Sequence, residues 1–238
     1  MSRHDRSLLD NPTWFALTTT QAKLARGTGA ARRYDAAVAP FAGLEAMTEG
    51  ALGALGELLA RDEFAVLPST TDLPEVAGIH TERMFSLVQM ADEESVAMPE
   101  HSDVVRLETK DVAAMLNLVE RTKPGPFGIR TIETGNYIGI RDGEKLIAMA
   151  GERMRLDGFV EISAVCVDDD YRGRGIAARL MNLLRNEIRQ RGETPFLHVR
   201  DDNTPAIALY ERLGFKARKT FSLYKVQHAL DQNISSTR

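Results

Sequence analysis

Residues 161–178 read EISAVCVDDDYRGRGIAA, and this stretch contains the signals that decide the fold. It begins with an apolar, β-branched run from Ile162 to Val167, which predicts a strand. A turn with three aspartates and the glycines Gly173 and Gly175 follows. The apolar residues after this turn have the one-face spacing of an amphipathic helix: Ile176, Leu180, Leu183, Leu184 and Ile188. Because a helix start offers free N–H groups and a positive dipole end, and glycines let a phosphate approach the backbone, we expect a phosphorylated ligand here.

The class of phosphorylated ligand depends on the details of the turn. No GxxxxGK[ST] motif occurs in the chain, so a P-loop has no support. Gly173-x-Gly175-x-x-Ala178 fits the loose dinucleotide-binding fingerprint, and Asp201 lies near the end of the next predicted strand. The glycines of that fingerprint belong to a tight first turn, whereas residues 168–172 separate strand and glycine here. A dinucleotide-binding oxidoreductase is therefore the less favoured alternative.

Two motifs instead resemble the GNAT acyltransferase superfamily. Residues 172–177 (RGRGIA) match that superfamily's acetyl-CoA signature, [QR]-x-x-G-x-[GA]. Residues 203–215 (NTPAIALYERLGF) are similar to its closing helix and strand. The two motifs occur in the right order, separated by a predicted helix and strand. The resemblance covers residues 103–227 and implies an α/β fold with a mixed sheet, and acetyl-CoA as co-substrate.

Length and composition leave room for two domains. The chain has 238 residues, of which 43% are hydrophobic and 27% charged, values typical of a soluble globular protein. A polar, acidic stretch at 92–103 containing Pro99 predicts a boundary. We expect a smaller α/β domain at 1–98 and a GNAT acetyltransferase domain at 103–228. The resemblance to glycine N-acyltransferase-like, two-half GNAT proteins suggests that the first domain is a degenerate copy of the same fold.

Turn and period signals predict the elements of each half. In the second half they predict the order β-α-α-β-β-β-α-β-α-β, including a hairpin at Asp142-Gly143. In the first half they predict helices at 10–26 and 49–59, with strands at 32–34, 38–41, 64–67 and 84–90. Pro68 is expected to close the third of these strands.

Charge and cysteine content restrict the partners. The formal charge of −4 argues against nucleic acid, and the single cysteine, Cys166, excludes an intrachain disulfide and fits a reducing cytoplasm. We find no signal-peptide core, no apolar run long enough for a bilayer and no histidine spacing typical of metal sites. The sequence predicts a cytoplasmic protein without metal or membrane contact, and leaves its oligomeric state open.

The resemblance assigns cofactor contacts to named residues. Main-chain N–H groups of the turn would hold the CoA diphosphate, with the arginines adding charge: Arg172, Gly173, Arg174, Gly175, Ile176 and Ala177. Pantetheine would add along the strand end formed by Val165, Cys166 and Val167. Asn203 is predicted as a helix cap and a cofactor contact.

Catalytic roles are predicted for Tyr210 and Glu161. Tyr210 lies seven residues after Asn203, on the same helix face, where the family places a general acid. Strand alternation puts Glu161, Ser163, Val165 and Val167 on one face and Cys166, as a small core residue, on the other. Partial desolvation of Glu161 is expected to raise its pKa, and some GNAT members use a glutamate base at this position.

Other groups remain candidates for the base. Glu152 and His198 are reserves, and many members of the superfamily rely on ordered water. The loop Thr122–Phe127, the predicted hairpin and the N-terminal half are expected to shape the acceptor pocket.

The sequence as a whole predicts an acetyl-CoA-dependent N-acyltransferase in which an amine attacks directly in a ternary complex. A non-catalytic acyl-CoA sensor or interaction module is the alternative from another class. Polyamine, amino acid, antibiotic and protein N-terminus all stay open as the acceptor.

Overall fold

A computed structural model describes residues 5–92 and 103–229. The strands in this part of the chain are β1 (Ala25–Arg26), β2 (Ala31–Tyr34), β3 (Ala42–Leu44), β4 (Phe64–Ser69), β5 (Ile79–Asp92), β6 (Val104–Leu107), β7 (Tyr137–Asp142), β8 (Lys145–Leu156), β9 (Phe159–Val167), β10 (Thr194–Arg200) and β11 (Phe215–His228). The α-helices are α1 (Pro12–Thr18), α2 (Glu49–Glu57), α3 (Val112–Thr122), α4 (Ile176–Gln190) and α5 (Thr204–Arg212). Among the described helices, none has the length and apolar character needed to cross a bilayer.

Eight of the described strands form one mixed sheet in the order β4-β11-β5-β10-β9-β8-β7-β6, which confirms the predicted mixed α/β fold. Strand β5, from the N-terminal half, lies between β10 and β11 and pairs antiparallel with both. The predicted boundary between 1–98 and 103–228 therefore does not separate two sheets. The polar stretch that suggested it lies mostly outside the described residues. A degenerate GNAT copy in 1–98 stays a prediction.

The element order of the second half is confirmed throughout, with the second helix present as a 3-10 turn at Thr131–Thr134. Its two central strands are joined at the predicted hairpin. Turn chemistry and helix periodicity in this half agree with the final fold, so local signals were sufficient there.

The first half departs from the predictions at three places. The helix predicted at 10–26 ends at Thr18, because the hydroxyls of Thr18 and Thr19 donate to the carbonyls of Trp14 and Phe15 and compete with the backbone. Val38 lies in a turn, and the strand instead forms at 42–44. Pro68 belongs to β4, which as an edge strand needs no N–H donor on its free side.

Both faces of the sheet are covered. Helix α4 packs its apolar face on one side, against β8, β9 and β10; its buried apolar residues are Ile176, Leu180, Met181, Leu184 and Ile188. Helix α3 and the N-terminal segments cover the other side, with Met115 and Leu118 packed against Tyr137 and Leu17 and Tyr34 in the cluster of Phe159. Side chains at the centre of the sheet are consequently withdrawn from solvent on both faces.

Two irregularities in β9 create a cleft. The parallel pairing of β9 with β10 ends at Glu161 and Phe196, after which β10 pairs only with β5 and the two strands separate. In the pairing of β9 with β8, two residues, Ala164 and Val165, lie opposite the single residue Ala150. Ala164 has a φ of +53°, in the left-handed region, as in a β-bulge. The bulge bends β9 where its partner on the other side has diverged.

Candidate active site

A cavity of about 610 Å³ occupies the cleft between β9 and β10. Four groups of residues line it: the bulged part of β9, the turn before α4, one face of α5, and apolar side chains from the N-terminal half. The last residue of α3, Thr122, and the loop residues 123–126 after it also line the cavity, whereas Phe127 of the predicted loop does not.

The turn before α4 has the geometry of an anion seat. Gly175 is the N-cap of α4 with a φ of +72°, and Gly173 has a φ of +77°. The first hydrogen bond of the helix runs from the Arg179 N–H to the Gly175 carbonyl, so the N–H groups of residues 175–178 have no partner within the helix. A Cβ placed on either glycine would meet no atom within 4 Å. The turn is therefore open to a ligand.

The predicted diphosphate residues do not all face the cavity. Arg172 and Ala177 line it. Arg174 stacks on Tyr171 at 5.0 Å, outside the lining, and the side chain of Ile176 is buried in the core beneath α4. Main-chain groups of residues 173–176 can still face an anion, because it is the backbone of the turn that is exposed.

The bulge at Ala164 changes the predicted faces of β9. The side chains of Val165 and Val167 pack with Ile162 under α4, whereas Cys166 packs in the cluster of α3. The prediction that Glu161 shares a face with Val165 and Val167, with Cys166 on the opposite face, is therefore wrong. The extra residue inverts the alternation after Ser163 and puts Cys166 on the side of Glu161.

Cys166 lies on the face opposite to that of the two valines, yet all three residues line the cavity. Burial raises the pKa of the Cys166 thiol, with the Thr122 hydroxyl a weaker, opposing influence. A protonated, buried thiol agrees with the prediction that Cys166 is a small core residue.

Asn203 and Tyr210 meet at the same cavity. The Asn203 Oδ1 accepts a hydrogen bond from the Ala206 N–H at 3.3 Å, which confirms the predicted N-cap. The Tyr210 ring packs edge-to-face on Phe215, with 6.2 Å between centroids. Burial raises the pKa of Tyr210 to about 12, so the phenol carries its proton at neutral pH and can donate it.

Glu161 is in a different environment from the one predicted. It is completely buried, and its two oxygens accept from Arg153 Nε and Nη2 at 2.8 and 2.6 Å. The oxygen facing Arg153 Nη2 also lies 2.8 Å from His198 Nδ1. Burial alone would raise the pKa of Glu161, but the Arg153 charge and the hydrogen bonds from His198 and Arg153 lower it to about 2. The expected raised pKa is wrong, and Glu161 does not belong to the cavity wall.

His198 lines the cavity, but both of its ring nitrogens are engaged. Arg218 Nη1 donates to Gln89 Oε1 at 3.0 Å, and Gln89 Nε2 donates to the Leu9 carbonyl at 2.9 Å, so the amide orientation is fixed. The same Nε2 lies 3.1 Å from His198 Nε2, which must accept. His198 Nδ1 then carries the proton that bonds Glu161. Glu152, the other reserve, is buried and pairs with Arg191 at 2.7 Å.

Comparisons with known proteins identify relatives of this chain. The family model described as "FR47-like protein" matches residues 137–223. The ribosomal protein bS18-alanine N-acetyltransferase of Escherichia coli is 33% identical over 115 residues, which are 46% of this chain and 77% of that protein. The N-alpha-acetyltransferase RimI of Mycobacterium tuberculosis is 40% identical over 84 residues, 34% of this chain and 52% of the relative.

Other relatives match in part or in full. A mycothiol acetyltransferase of Corynebacterium glutamicum is 34% identical over 85 residues, so 35% of this chain matches only 29% of that relative. A crystal structure of a putative GNAT-family acetyltransferase from Novosphingobium aromaticivorans superposes with a TM-score of 0.87 at 36% identity, over 93% of this chain and 99% of that one. The fold and the cleft define an acyltransferase. The chain belongs to the GNAT family of N-acetyltransferases.

Sequence reasoning missed several residues of the cavity. Arg153 and the apolar side chains Phe41, Met84 and Phe85 line it. In the sequence, nothing distinguishes Arg153 from the other polar residues of its predicted strand. The other three residues lie far from either motif. The position of β5 beside β10 brings Met84 and Phe85 to the cleft, and a pairing across about 110 residues leaves no local signal. Phe41 arrives separately, through its bridge to Val66 of β4.

Proposed function

We propose that this protein transfers the acetyl group of acetyl-CoA to a primary amine by direct attack in a ternary complex. One observation carries the proposal: the glycine turn before α4, the separated edge of β9 and Tyr210 all line a single cleft. GNAT acetyltransferases use acetyl-CoA, and the cleft suits each part of that molecule.

The diphosphate would bind the N–H groups of residues 175–177, assisted by Arg172. Pantetheine would run along β9 and bond main-chain groups of Val165 and Val167, since β10 has turned away to pair with β5. The thioester would then lie beside Tyr210.

Acetyl transfer forms one C–N bond and breaks one C–S bond. The neutral amine adds to the thioester carbonyl, and a main-chain N–H near Val167 would stabilise the oxyanion. Collapse of the intermediate expels the CoA thiolate, to which Tyr210 gives its proton. Because a phenol of raised pKa holds its proton more tightly than a thiol does, Tyr210 must recover a proton from the ammonium of the intermediate in the same step.

The ammonium group of the acceptor must lose a proton before it attacks, and the described lining of the cavity offers no side-chain base for this step. Of the described residues, no aspartate or glutamate lines the cavity, and His198 already accepts from Gln89. We infer that water removes the proton from the acceptor. The rate should therefore follow the fraction of free amine, and kcat/KM should rise with pH up to the pKa of the amine used.

The Tyr210→Phe variant tests the proposal. It removes only the phenolic oxygen, so turnover should fall at least about tenfold while acetyl-CoA affinity stays within about twofold. Tyr224→Phe is a matched control, because its hydroxyl donates to Asp72 and does not line the cavity. Thiol release reports turnover, and calorimetry reports affinity.

Equal turnover in Tyr210→Phe and the parent protein would remove the assigned role of Tyr210. Binding of acetyl-CoA without thiol release, across a panel of amines, would favour the non-catalytic sensor.

A further inference from the structure

The charged side chains that line the cavity are all cationic. They are Lys123, Arg153, Arg172 and Arg200, and the described lining includes no carboxylate. Arg172 is next to the diphosphate seat, which leaves the other three for the remaining cleft. A site for a polyamine or another multiply charged amine needs carboxylates at its wall, since an extra ammonium must be paired when it is desolvated. This cavity therefore fits an acceptor that carries a negative charge.

Arg153 is the buried member of this group, and one of its guanidinium nitrogens forms no hydrogen bond with the described residues. Its residue surface is only 9% exposed, and Nε and Nη2 are both held by Glu161. The third nitrogen, Nη1, forms no hydrogen bond with any residue in 5–92 or 103–229. The fully buried side-chain atoms without a hydrogen-bond partner in these ranges are Arg179 Nε and Glu187 Oε2, so Nη1 is not one of them. Since Arg153 lines the cavity, Nη1 is a donor left for a ligand.

The surroundings of Arg153 hold this donor in place. The guanidinium lies 4.6 Å from the centre of the Phe41 ring, and Glu161 fixes its plane through two hydrogen bonds. Glu161 is itself held by His198, and His198 by Gln89. A donor fixed before binding loses little entropy when a ligand arrives.

The pair Arg153 and Glu161 is neutral as a unit, so surplus positive charge must come from elsewhere. Arg200 is balanced by Asp202 at 2.6 Å. Lys123 forms no ion pair with a carboxylate of the described residues, and it lines the same cavity. If Arg172 is set aside for the diphosphate, the cleft carries one net positive charge, that of Lys123. A carboxylate that accepts from Arg153 Nη1 would be in this positively charged cleft.

The rest of the acceptor end is apolar. Phe41, Val66, Met84, Phe85 and Leu87 line it from the N-terminal half, together with Leu223 of β11. All but Leu223 lie outside the 137–223 match to the family model. This wall would bind an apolar group at about 25 cal/mol for each Å² that it buries.

We propose, building on the function above, that the acceptor is an amine that carries a carboxylate and an apolar side chain, as an apolar amino acid does. Arg153 Nη1 donates to its carboxylate, the wall of Phe41, Met84 and Phe85 packs on its side chain, and its amine faces the thioester. Arg153 is the residue that determines specificity for the carboxylate.

Substrate analogues test the carboxylate directly. Thiol release is measured with L-phenylalanine, L-phenylalaninamide, phenethylamine and spermidine, and rates are compared at equal concentrations of free amine. We expect kcat/KM for phenylalanine to exceed that for phenethylamine and the amide by about 10- to 100-fold, because those analogues leave the Arg153 donor unpaired. Spermidine should be the poorest substrate. Phenethylamine or spermidine used as well as phenylalanine would overturn the proposal.

Calorimetry on protein saturated with CoA gives a second reading that does not need turnover. Phenylalanine should bind at least about tenfold more tightly than phenethylamine, and equal binding, or no binding of phenylalanine, would overturn the acceptor assignment. Failure of acetyl-CoA itself to bind would instead refute the proposed function. Acetyl-CoA binding together with efficient use of phenethylamine would refute only the acceptor class.

Two variants tie the effect to Arg153. Arg153→Lys keeps the charge beside Glu161 but lacks the Nη1 donor, so KM for phenylalanine should rise about tenfold while KM for acetyl-CoA is unchanged. Arg153→Met combined with Glu161→Gln removes both charges and should abolish the preference for phenylalanine over phenethylamine, even if the single variant folds poorly. Arg155→Lys, on the same strand and paired with Glu193 away from the cavity, is the control and should leave the preference unchanged. Retention of the preference in the Arg153 variants would overturn the assignment.

Discussion

Replacing Glu161 by glutamine separates a structural carboxylate from a catalytic base. The buried pair with Arg153 would lose its negative partner and leave a guanidinium charge that is 9% exposed and lacks its counter-ion. Breaking one side of a buried ion pair costs about 3 to 5 kcal/mol. We therefore expect Glu161→Gln to lower the free energy of unfolding by that amount at pH 7.

The lowered pKa of Glu161 arises from the same interaction. Its fall from 4.5 to about 2 corresponds to about 3 kcal/mol of stability. A lowered carboxyl pKa stabilises the fold fully above the unfolded value near 4.5, and this contribution is lost as the pH falls towards 2. The parent protein should thus lose stability across that window, and Glu161→Gln should lose about 3 kcal/mol less.

Urea unfolding followed by the fluorescence of Trp14 measures both effects. The surface pair of Glu133 with Arg130 supplies the control, because Glu133→Gln at an exposed ion pair should change stability by less than about 1 kcal/mol. The double variant Arg153→Met with Glu161→Gln should regain much of the loss, since it removes both buried charges. A Glu161→Gln protein as stable as its parent but without turnover would contradict this reasoning and restore Glu161 as the base.

Two backbone positions give further predictions. Gly43→Ala should lower the free energy of unfolding by more than about 2 kcal/mol, because its Cβ would lie 2.4 Å from the backbone nitrogen of Trp14. Gly53→Ala lies in α2 with no atom nearer than 4.0 Å to the new Cβ, and it should raise the free energy of unfolding by about 0.5 to 1 kcal/mol. If urea unfolding gave the opposite order of stability, it would contradict the packing described. Ala164→Gly should stabilise by about 1 kcal/mol by relieving a φ of +53°, and a loss of stability in the same assay would show that the bulge stores no strain.

The sequence predicted the second half of the chain and the glycine turn before α4 because their signals are local. The strand before Asp168, the glycines with positive φ and the helix after them all lie within residues 159–190, and each element agrees with its neighbours. The cap at Asn203 and the position of Tyr210 also follow from spacing along one helix. Motif and structure therefore coincide at this end of the cleft.

The remainder of the cleft could not be predicted in the same way. The faces predicted from residue alternation along β9 were correct up to Ser163. The bulge at Ala164 inverts the alternation after that point, and no residue type in this stretch indicates a bulge. The low pKa of Glu161 depends on Arg153 and His198, which come from the two neighbouring strands and outweigh the opposite effect of burial. The pairing of β5 with β10 is a long-range contact, and it brings Phe85 to the cleft without any local pattern.

The proposed function depends on one contact, in which the main-chain N–H groups at the start of α4 hold the diphosphate of acetyl-CoA. Calorimetric titration of the parent protein with acetyl-CoA, and in parallel with NAD, tests it most directly. We predict one acetyl-CoA bound per chain, no binding of NAD, and a clear loss of acetyl-CoA affinity in Gly175→Ala, whose Cβ would project into the open space beside the turn and whose φ of +72° disfavours alanine. Binding of NAD in place of acetyl-CoA, or full acetyl-CoA affinity in Gly175→Ala, would contradict the claim.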